Sequence, residues 1–184
     1  MHLIKHIFAA GLLAVGFSIP VAAQDADRMA DLMDQLGAAV SEREAELVIR
    51  AIVAEWSKSG SASVDLLLRR GVDALEAGDH AAAVEHLTAA IDEDGAFAEA
   101  LYRRATAYYL TGNVGPALND LRQVLVLNPD HFGALQGFAV IVEELGRKAE
   151  ALEVFRRVLD MNPQDADVAS AVARLARELD GTAL

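Results

Sequence analysis

Three glycines recur at a fixed interval along the chain: Gly78, Gly112 and Gly146 are each 34 residues from the next. The residues around them recur in the same register, in four sets: Leu67, Leu101 and Leu135; Gly71, Ala105 and Ala139; Ala83, Ala117 and Ala151; Leu87, Leu121 and Phe155. A repeat of this length cannot bury its apolar face alone, so neighbouring copies must stack. The spacing therefore predicts a short array of stacked units.

Apolar residues recur at helical spacing on both sides of each glycine. In the middle unit the first stripe is Leu101, Ala105 and Tyr108, and the second is Ala117, Leu121 and Val124. This period predicts two amphipathic helices per unit. A glycine between them can adopt a positive φ and end the first helix. Each unit is therefore expected to be an antiparallel helical hairpin.

The pattern resembles the tetratricopeptide repeat (TPR), which has large apolar residues at positions 4 and 11, small ones at 8 and 20, an aromatic or leucine at 24 and proline at 32. The resemblance covers units 64–97, 98–131 and 132–165, and Pro129 and Pro163 close the last two. It implies an all-α fold, an α-solenoid of three TPR hairpins. Four residues depart from the pattern: Gly95, Ala74, Arg70 and Arg104.

Helices are also expected at both ends of the array. Residues 166–181 carry one apolar stripe and predict a C-terminal capping helix. Residues 24–58 carry two stripes separated by Ser41 and Glu44, which have capping-box spacing. This segment is interpreted as an N-terminal helical hairpin, either a degenerate repeat or a separate cap. The serine-rich segment 59–63 is the expected linker.

The first residues indicate export. Lys5 precedes an apolar run at 7–17, Pro20 breaks it, and small residues follow at 21–23. This order is typical of a secretory signal peptide over 1–23, cleaved near Ala23/Gln24, so we expect a periplasmic protein of a bacterial envelope. The run is shorter than the roughly 20 residues that span a bilayer. A retained membrane anchor is the alternative, and membrane contact is expected only if the signal stays uncleaved.

Composition and motifs argue against several functional classes. The chain has no cysteine and a net charge of -12, so thiolate chemistry is excluded and nucleic-acid binding is not expected. His80 and His86 are six residues apart, which does not suit a helical metal pair. His131 follows Asn128, Pro129 and Asp130, where a turn or capping role is expected. We predict no enzyme activity, no metal site and no cofactor.

The resemblance also implies a binding surface. In such repeats the first helices line a groove through positions 2, 5, 9 and 12, with position 6 beside it. The groove residues carried over to this chain are Leu68, Val72, Leu75, Glu99, Tyr102, Arg103, Thr106, Tyr109, Gln136, Val140 and Glu143. Glu99 and Glu143 are expected to be exposed rim acids. For Tyr109 the alternative is a packing role against the next hairpin.

The same positions exclude one TPR subclass. Co-chaperones that hold a terminal carboxylate have lysine, asparagine and arginine where this chain has Leu68, Val72, Gly133 and Gly137. The expected partner is instead a protein or peptide that is apolar with some basic residues. The expected function is a non-enzymatic adaptor or scaffold of the cell envelope. The alternative is a membrane-tethered assembly factor or chaperone-like holder of client proteins.

Overall fold

The computed structural model describes residues 21–182, with side chains described for 26–181. The expected signal segment therefore lies almost wholly outside the described residues. Within them the fold is all-α, as predicted. The helices are α1 (Val21–Ala38), α2 (Glu42–Trp56), α3 (Ala62–Glu76), α4 (His80–Glu93), α5 (Ala98–Leu110), α6 (Val114–Leu127), α7 (Phe132–Glu144), α8 (Lys148–Met161) and α9 (Ala166–Thr182).

The repeating glycines end the first helix of each hairpin. Gly78, Gly112 and Gly146 have φ values of 76°, 76° and 80°. In each hairpin the residue after the glycine donates its backbone N–H to a carbonyl five residues earlier, as Asn113 does to Tyr108 at 2.8 Å. This closure is the Schellman motif, which needs a left-handed residue that glycine supplies without strain. The hairpins α3/α4, α5/α6 and α7/α8 therefore share one turn.

Small residues at the predicted positions let the paired helices approach closely. A Cβ added to Gly71 on α3 would lie 2.4 Å from Cγ of Leu87 on α4. Ala105 and Ala117 are buried at the corresponding places in the second hairpin. Leu101 is fully buried in a continuous apolar core that runs from α5 to α9. Stacking of successive hairpins therefore builds the core, as the repeat predicts.

Arg104, one of the departures from the repeat pattern, has polar partners on the neighbouring second helices. Its guanidinium donates to both carboxylate oxygens of Asp120 on α6, at 2.7 and 2.9 Å, and to Oγ1 of Thr88 on α4 at 3.1 Å. Asp120 is 2% exposed. A bidentate pair of this kind can be buried because each charge is hydrogen-bonded. The substitution at position 7 thus links two hairpins through hydrogen bonds.

The N-terminal hairpin α1/α2 reaches across to the third unit. Ser41 accepts from the backbone of Glu44, as the capping-box spacing predicts, and the carboxylate of Glu44 accepts from Val40. However, α1 contacts α8, and Gln164 donates its side-chain N–H to the carbonyl of Ala39 at 3.0 Å. The hairpin is therefore tied to the α8–α9 turn, a contact that a cap in front of the first repeat does not require.

The expected linker is a short, hydrogen-bonded turn. Ser59 donates its backbone N–H and its hydroxyl to Oδ1 of Asp65, at 2.8 and 2.7 Å. Gly60 has a φ of 86°, and α3 begins at Ala62, so only a few residues separate α2 from α3. Through residues 21–182, none of the helices is both long and apolar enough to cross a membrane.

Candidate polypeptide-binding cleft

An open cleft lies between the first helices of the second and third hairpins. Its volume is about 340 Å³. The lining residues come from α5, α6 and α7: Tyr102, Ala105, Thr106, Tyr109, Leu121, Gly133, Gln136, Gly137, Val140 and Ile141. Five of them, Tyr102, Thr106, Tyr109, Gln136 and Val140, are predicted groove residues. We call this site the α5–α7 cleft.

Two glycines on α7 shape this cleft. Gly133 and Gly137 are one helical turn apart, so they lie on the same side of α7. A Cβ on Gly133 would be 2.9 Å from the ring and hydroxyl of Tyr102, and one on Gly137 would be 3.6 Å from Leu121. The absence of side chains lets Tyr102 lie against α7 and leaves the backbone of α7 exposed to the cleft. Apolar walls and a bare backbone suit an apolar side chain of another polypeptide.

Tyr109 lines the cleft and also packs on the next hairpin. Its hydroxyl donates to Oε1 of Glu144 on α7 at 2.7 Å. This hydrogen bond to a carboxylate, together with partial desolvation, raises the pKa of Tyr109. The ring is only half-buried. The residue thus combines both roles considered for it from the sequence, a cleft wall and a contact with the following unit.

Tyr102 is more enclosed than the sequence predicts. Burial raises the pKa of its hydroxyl, and its ring packs against the ring of His131 with centroids 4.7 Å apart. The guanidinium of Arg103 lies 5.3 Å from the ring centroid. Thr106 donates its hydroxyl to the carbonyl of Tyr102, one turn earlier. Tyr102 is therefore a fixed wall of the cleft, and its removal is expected to disturb structure as well as binding.

The cleft continues toward the capping helix. A second depression of about 330 Å³ shares Gln136 and Val140 with it and extends to Phe155 on α8 and to Asp167 and Arg174 on α9. Glu143, predicted as a free rim acid, accepts two hydrogen bonds from Arg174 at 2.6 and 3.1 Å. The prediction of a free rim acid is wrong because α9 places the guanidinium of Arg174 opposite the Glu143 carboxylate. Glu143 therefore offers a partner less negative charge than expected.

The prediction that Glu99 is an exposed rim acid is wrong, because this residue is 1% exposed. Nε of Arg103 donates to Oε1 at 2.6 Å, and Nε2 of His131 lies 3.2 Å from Oε2. Burial raises the pKa of Glu99, but the His131 hydrogen bond and the positive charge of Arg103 outweigh it, so the pKa is lowered overall. Glu99 is a buried anion with two partners.

His131 is the structural residue that organises this region. Its Nδ1 accepts the backbone N–H of Ala134 at 3.1 Å, so it caps α7, as the turn sequence predicts. With Nδ1 accepting, the neutral ring carries its proton on Nε2 and donates to Glu99. The sequence offered no signal that Trp56 would stack on this ring, with centroids 4.3 Å apart and planes at 20°. This stacking packs α2 of the N-terminal hairpin against the residue that caps α7.

The predicted groove residues of the first unit do not join the α5–α7 cleft. Leu68 is 2% exposed and belongs to the core of the first hairpin, so it is a packing residue. Leu75 packs against the same core. A separate depression of about 380 Å³ is lined by Leu68, Val72 and Arg103, together with Val53 of α2. The groove predicted as one continuous row is thus divided.

Potential metal ligands do not form a cluster in the described part of the chain. Residues 26–181 contain no group of three or more histidine, aspartate or glutamate side chains that could hold a metal ion. His80 is partly buried, and its Nδ1 has no hydrogen-bond partner among the residues that the structure describes. The open apolar cleft is therefore the feature that calls for a functional explanation.

Stacked helical hairpins with an open cleft along their first helices define a repeat solenoid, a class that binds polypeptides along its inner surface. A family model described as tetratricopeptide repeat matches residues 74–119 and 116–175. The chain belongs to the tetratricopeptide repeat family.

Known proteins extend this similarity over most of the chain. A TPR repeat-containing protein of Rhizobium etli is 34% identical over 154 residues, which cover 84% of this chain and 76% of that protein. DnaJ homolog subfamily C member 3 of Gallus gallus is 34% identical over 117 residues, 64% of this chain but only 23% of that protein. The first TPR domain of Spaghetti, solved with an HSP90 peptide, has the same fold, with a TM-score of 0.62 and 21% identity over 65% of this chain and 95% of that domain.

Proposed function

We propose that this protein is a non-enzymatic adaptor that binds a segment of another protein in the α5–α7 cleft. The observation that carries the proposal is an apolar cleft of about 340 Å³ that no side chain among residues 26–181 fills. Tyr109 and Val140 stand on opposite walls and are half-buried, so both are available to a ligand. Aromatic side chains at the centre of a concave surface contribute much of the affinity in protein interfaces.

The partner segment is expected to be apolar with some basic residues. The protein carries 28 acidic against 16 basic residues, which attracts a cationic segment and repels an anionic one. Glu144 and Asp167 lie at the open end of the binding surface, beside the half-buried Val140. Apolar side chains of the ligand would fill the cleft, and its basic residues would face these carboxylates.

A terminal-carboxylate peptide is not the expected ligand. Leu68 is buried, Val72 is apolar, and Gly133 and Gly137 carry no side chain, so these positions provide no cation for a carboxylate. The HSP90 peptide SRMEEVD, seen on the Spaghetti domain, carries several acids. We therefore expect this peptide to bind weakly or not at all, which makes it a suitable negative probe.

The proposed site of action is the cell envelope, after removal of residues 1–23. The support is the order of a charged start, an apolar run, a proline and small residues in the sequence. A retained apolar segment would instead tether the protein to the membrane, and then a role in holding clients near the bilayer becomes the better description.

The test begins with peptides selected from a random display library against the wild-type protein, followed by titration of the tightest one. Val140→Asp introduces a carboxylate into the apolar cleft, and Tyr109→Ala removes one wall. Each is expected to weaken binding by about tenfold or more, equivalent to about 1.4 kcal/mol. The matched control is Arg122→Ala, because Arg122 is exposed on α6 and does not line the cleft. If only the control variant loses affinity, the proposed site is wrong.

A further inference from the structure

The contact between the N-terminal hairpin and the repeats is built around one indole ring. Trp56, at the end of α2, stacks on His131 and lies 5.0 Å from the ring of Phe132, centroid to centroid. Tyr102 of α5 also packs against the ring of His131. We call the residues that contact the indole, His131 and Phe132, the aromatic pocket.

Hydrogen bonds within the repeats fix the His131 ring of the aromatic pocket. The ring of His131 is fixed at both nitrogens, by the N–H of Ala134 and by Glu99. Glu99 is fixed in turn by Arg103. Because these bonds lie entirely within the repeats, the orientation of the pocket does not depend on Trp56. A preorganised pocket of this kind loses little entropy when it binds an aromatic side chain.

The hairpin that fills the pocket has an apolar core of its own, and it also contacts the repeats where α1 meets α8 and where Gln164 donates to Ala39. Its apolar core consists of residues from α1 and α2, such as Leu36 and Ile52, together with a single residue of the repeats, Phe132. Arg28 of α1 also pairs with Glu55 of α2 within the hairpin, at 3.0 Å. Releasing the hairpin from the repeats would therefore leave most of its own core intact.

We propose that the aromatic pocket is a second polypeptide-binding site, occupied in the free protein by Trp56 of its own hairpin. The N-terminal hairpin then competes with a partner polypeptide for the aromatic pocket. The partner that replaces it has the chemistry of α2: an amphipathic helix with an apolar stripe ending in an aromatic side chain. This inference goes beyond the α5–α7 cleft, whose residue Tyr102 contacts His131 of the pocket, and it holds or fails whether or not that cleft binds a ligand.

The probe is a synthetic peptide with the sequence of residues 42–58, and the protein is the full chain. Trp56→Asp expels the end of α2, because a carboxylate is poorly accommodated among aromatic rings above the buried Glu99. Trp56 is the only tryptophan of the protein, so in this variant the peptide supplies the only indole fluorescence. We expect the peptide to bind the variant at least tenfold more tightly than wild type, whose pocket is occupied.

Matched controls separate release of the hairpin from general damage. Ala54→Asp adds the same charge at an exposed position two residues away, and it should bind the peptide as weakly as wild type does. Adding Phe132→Ala to Trp56→Asp should abolish binding, as should replacing the tryptophan of the peptide with alanine. If Trp56→Asp does not fold, Trp56→Ala serves as the milder variant. A folded variant that fails to bind the peptide, or equal binding by wild type, overturns the proposal.

Discussion

At the scale of single residues, burial depends on whether each side chain finds a partner. Leu101 and Glu99 are neighbours on α5, and both are essentially inaccessible to solvent. Leu101 is stabilised by removal of apolar surface from water. Glu99 is tolerated because Arg103 compensates its charge and His131 donates a hydrogen bond to its second oxygen. These two kinds of buried residue predict different responses to mutation.

Leu101→Ala is expected to lower the free energy of unfolding by about 2–5 kcal/mol, because it leaves a cavity in a close-packed core. The measurement is urea denaturation followed by circular dichroism. Leu110→Ala, at the end of the same helix and 55% exposed, should change stability by no more than about 0.5 kcal/mol. Similar losses in both variants would contradict the assigned packing.

Glu99→Gln is expected to flatten the pH dependence of stability. The folded-state pKa of Glu99 is lowered from its ordinary value of 4.5, so its stabilising effect is present above that value and is lost as pH falls through the lower folded pKa. The free energy of unfolding, measured from pH 7 down to pH 3, should therefore fall less steeply in the variant. Glu76→Gln, at an exposed position on α3, is the control and should follow wild type. Parallel profiles for wild type and Glu99→Gln would disprove this assignment.

At the scale of helices, the repeats could be predicted because their determinants are local. Gly112, the alanines at the tight contacts and the apolar stripes all act within one hairpin, so their spacing in the sequence is their spacing in the fold. The same holds for the cap at Ser41, where the side chain accepts from the backbone of Glu44. Helix type therefore followed from periodicity and turn chemistry.

The docking of the N-terminal hairpin could not be predicted in this way. Its contacts join residues far apart in sequence, as between Trp56 and His131 or between Ala39 and Gln164. No periodic pattern encodes such pairs. The missed burial of Glu99 follows from the same cause, since His131, which contacts its carboxylate, is 32 residues away in the sequence. Five residues of the α5–α7 cleft were predicted because α5 and α7 are adjacent copies of one unit.

The C-terminal capping helix α9 is expected to shield the apolar face of the last hairpin from water. Val168 and Leu175 of α9 are buried against the core that also contains Phe155 and Val158 of α8. Deleting residues 166–184 should expose these α8 side chains and cause aggregation, detected by light scattering. Arg177→Ala, an exposed change on α9, should remain monomeric. A deletion variant that stays monomeric with an unchanged melting temperature would show that α9 is dispensable.

At the scale of the whole molecule, the acidic surface decides which partner segments the protein attracts. The proposed export decides the compartment in which it meets them. The net charge of -12 favours encounters with cationic segments and makes their association rates sensitive to salt. The compartment decides which such segments are available. The compartment and the cleft are therefore tested separately.

Export predicts a mature protein that begins at Gln24. Intact-mass analysis of protein recovered from the envelope fraction measures this directly, because cleavage removes residues 1–23 as one unit. Cytoplasmic protein expressed without the first 23 residues provides the reference mass. A recovered mass that still includes these residues would favour the membrane-tethered alternative.

The central claim, that the α5–α7 cleft binds a polypeptide, is tested most directly by amide hydrogen exchange with and without a selected peptide. Binding should slow exchange in the facing stretches 102–109 and 133–141, since bound ligand stabilises the helices it contacts. Exchange at the exposed α6 positions Arg122, Gln123, Val126 and Leu127 should be unchanged. Protection confined to α6, with none along α5 and α7, would contradict the account.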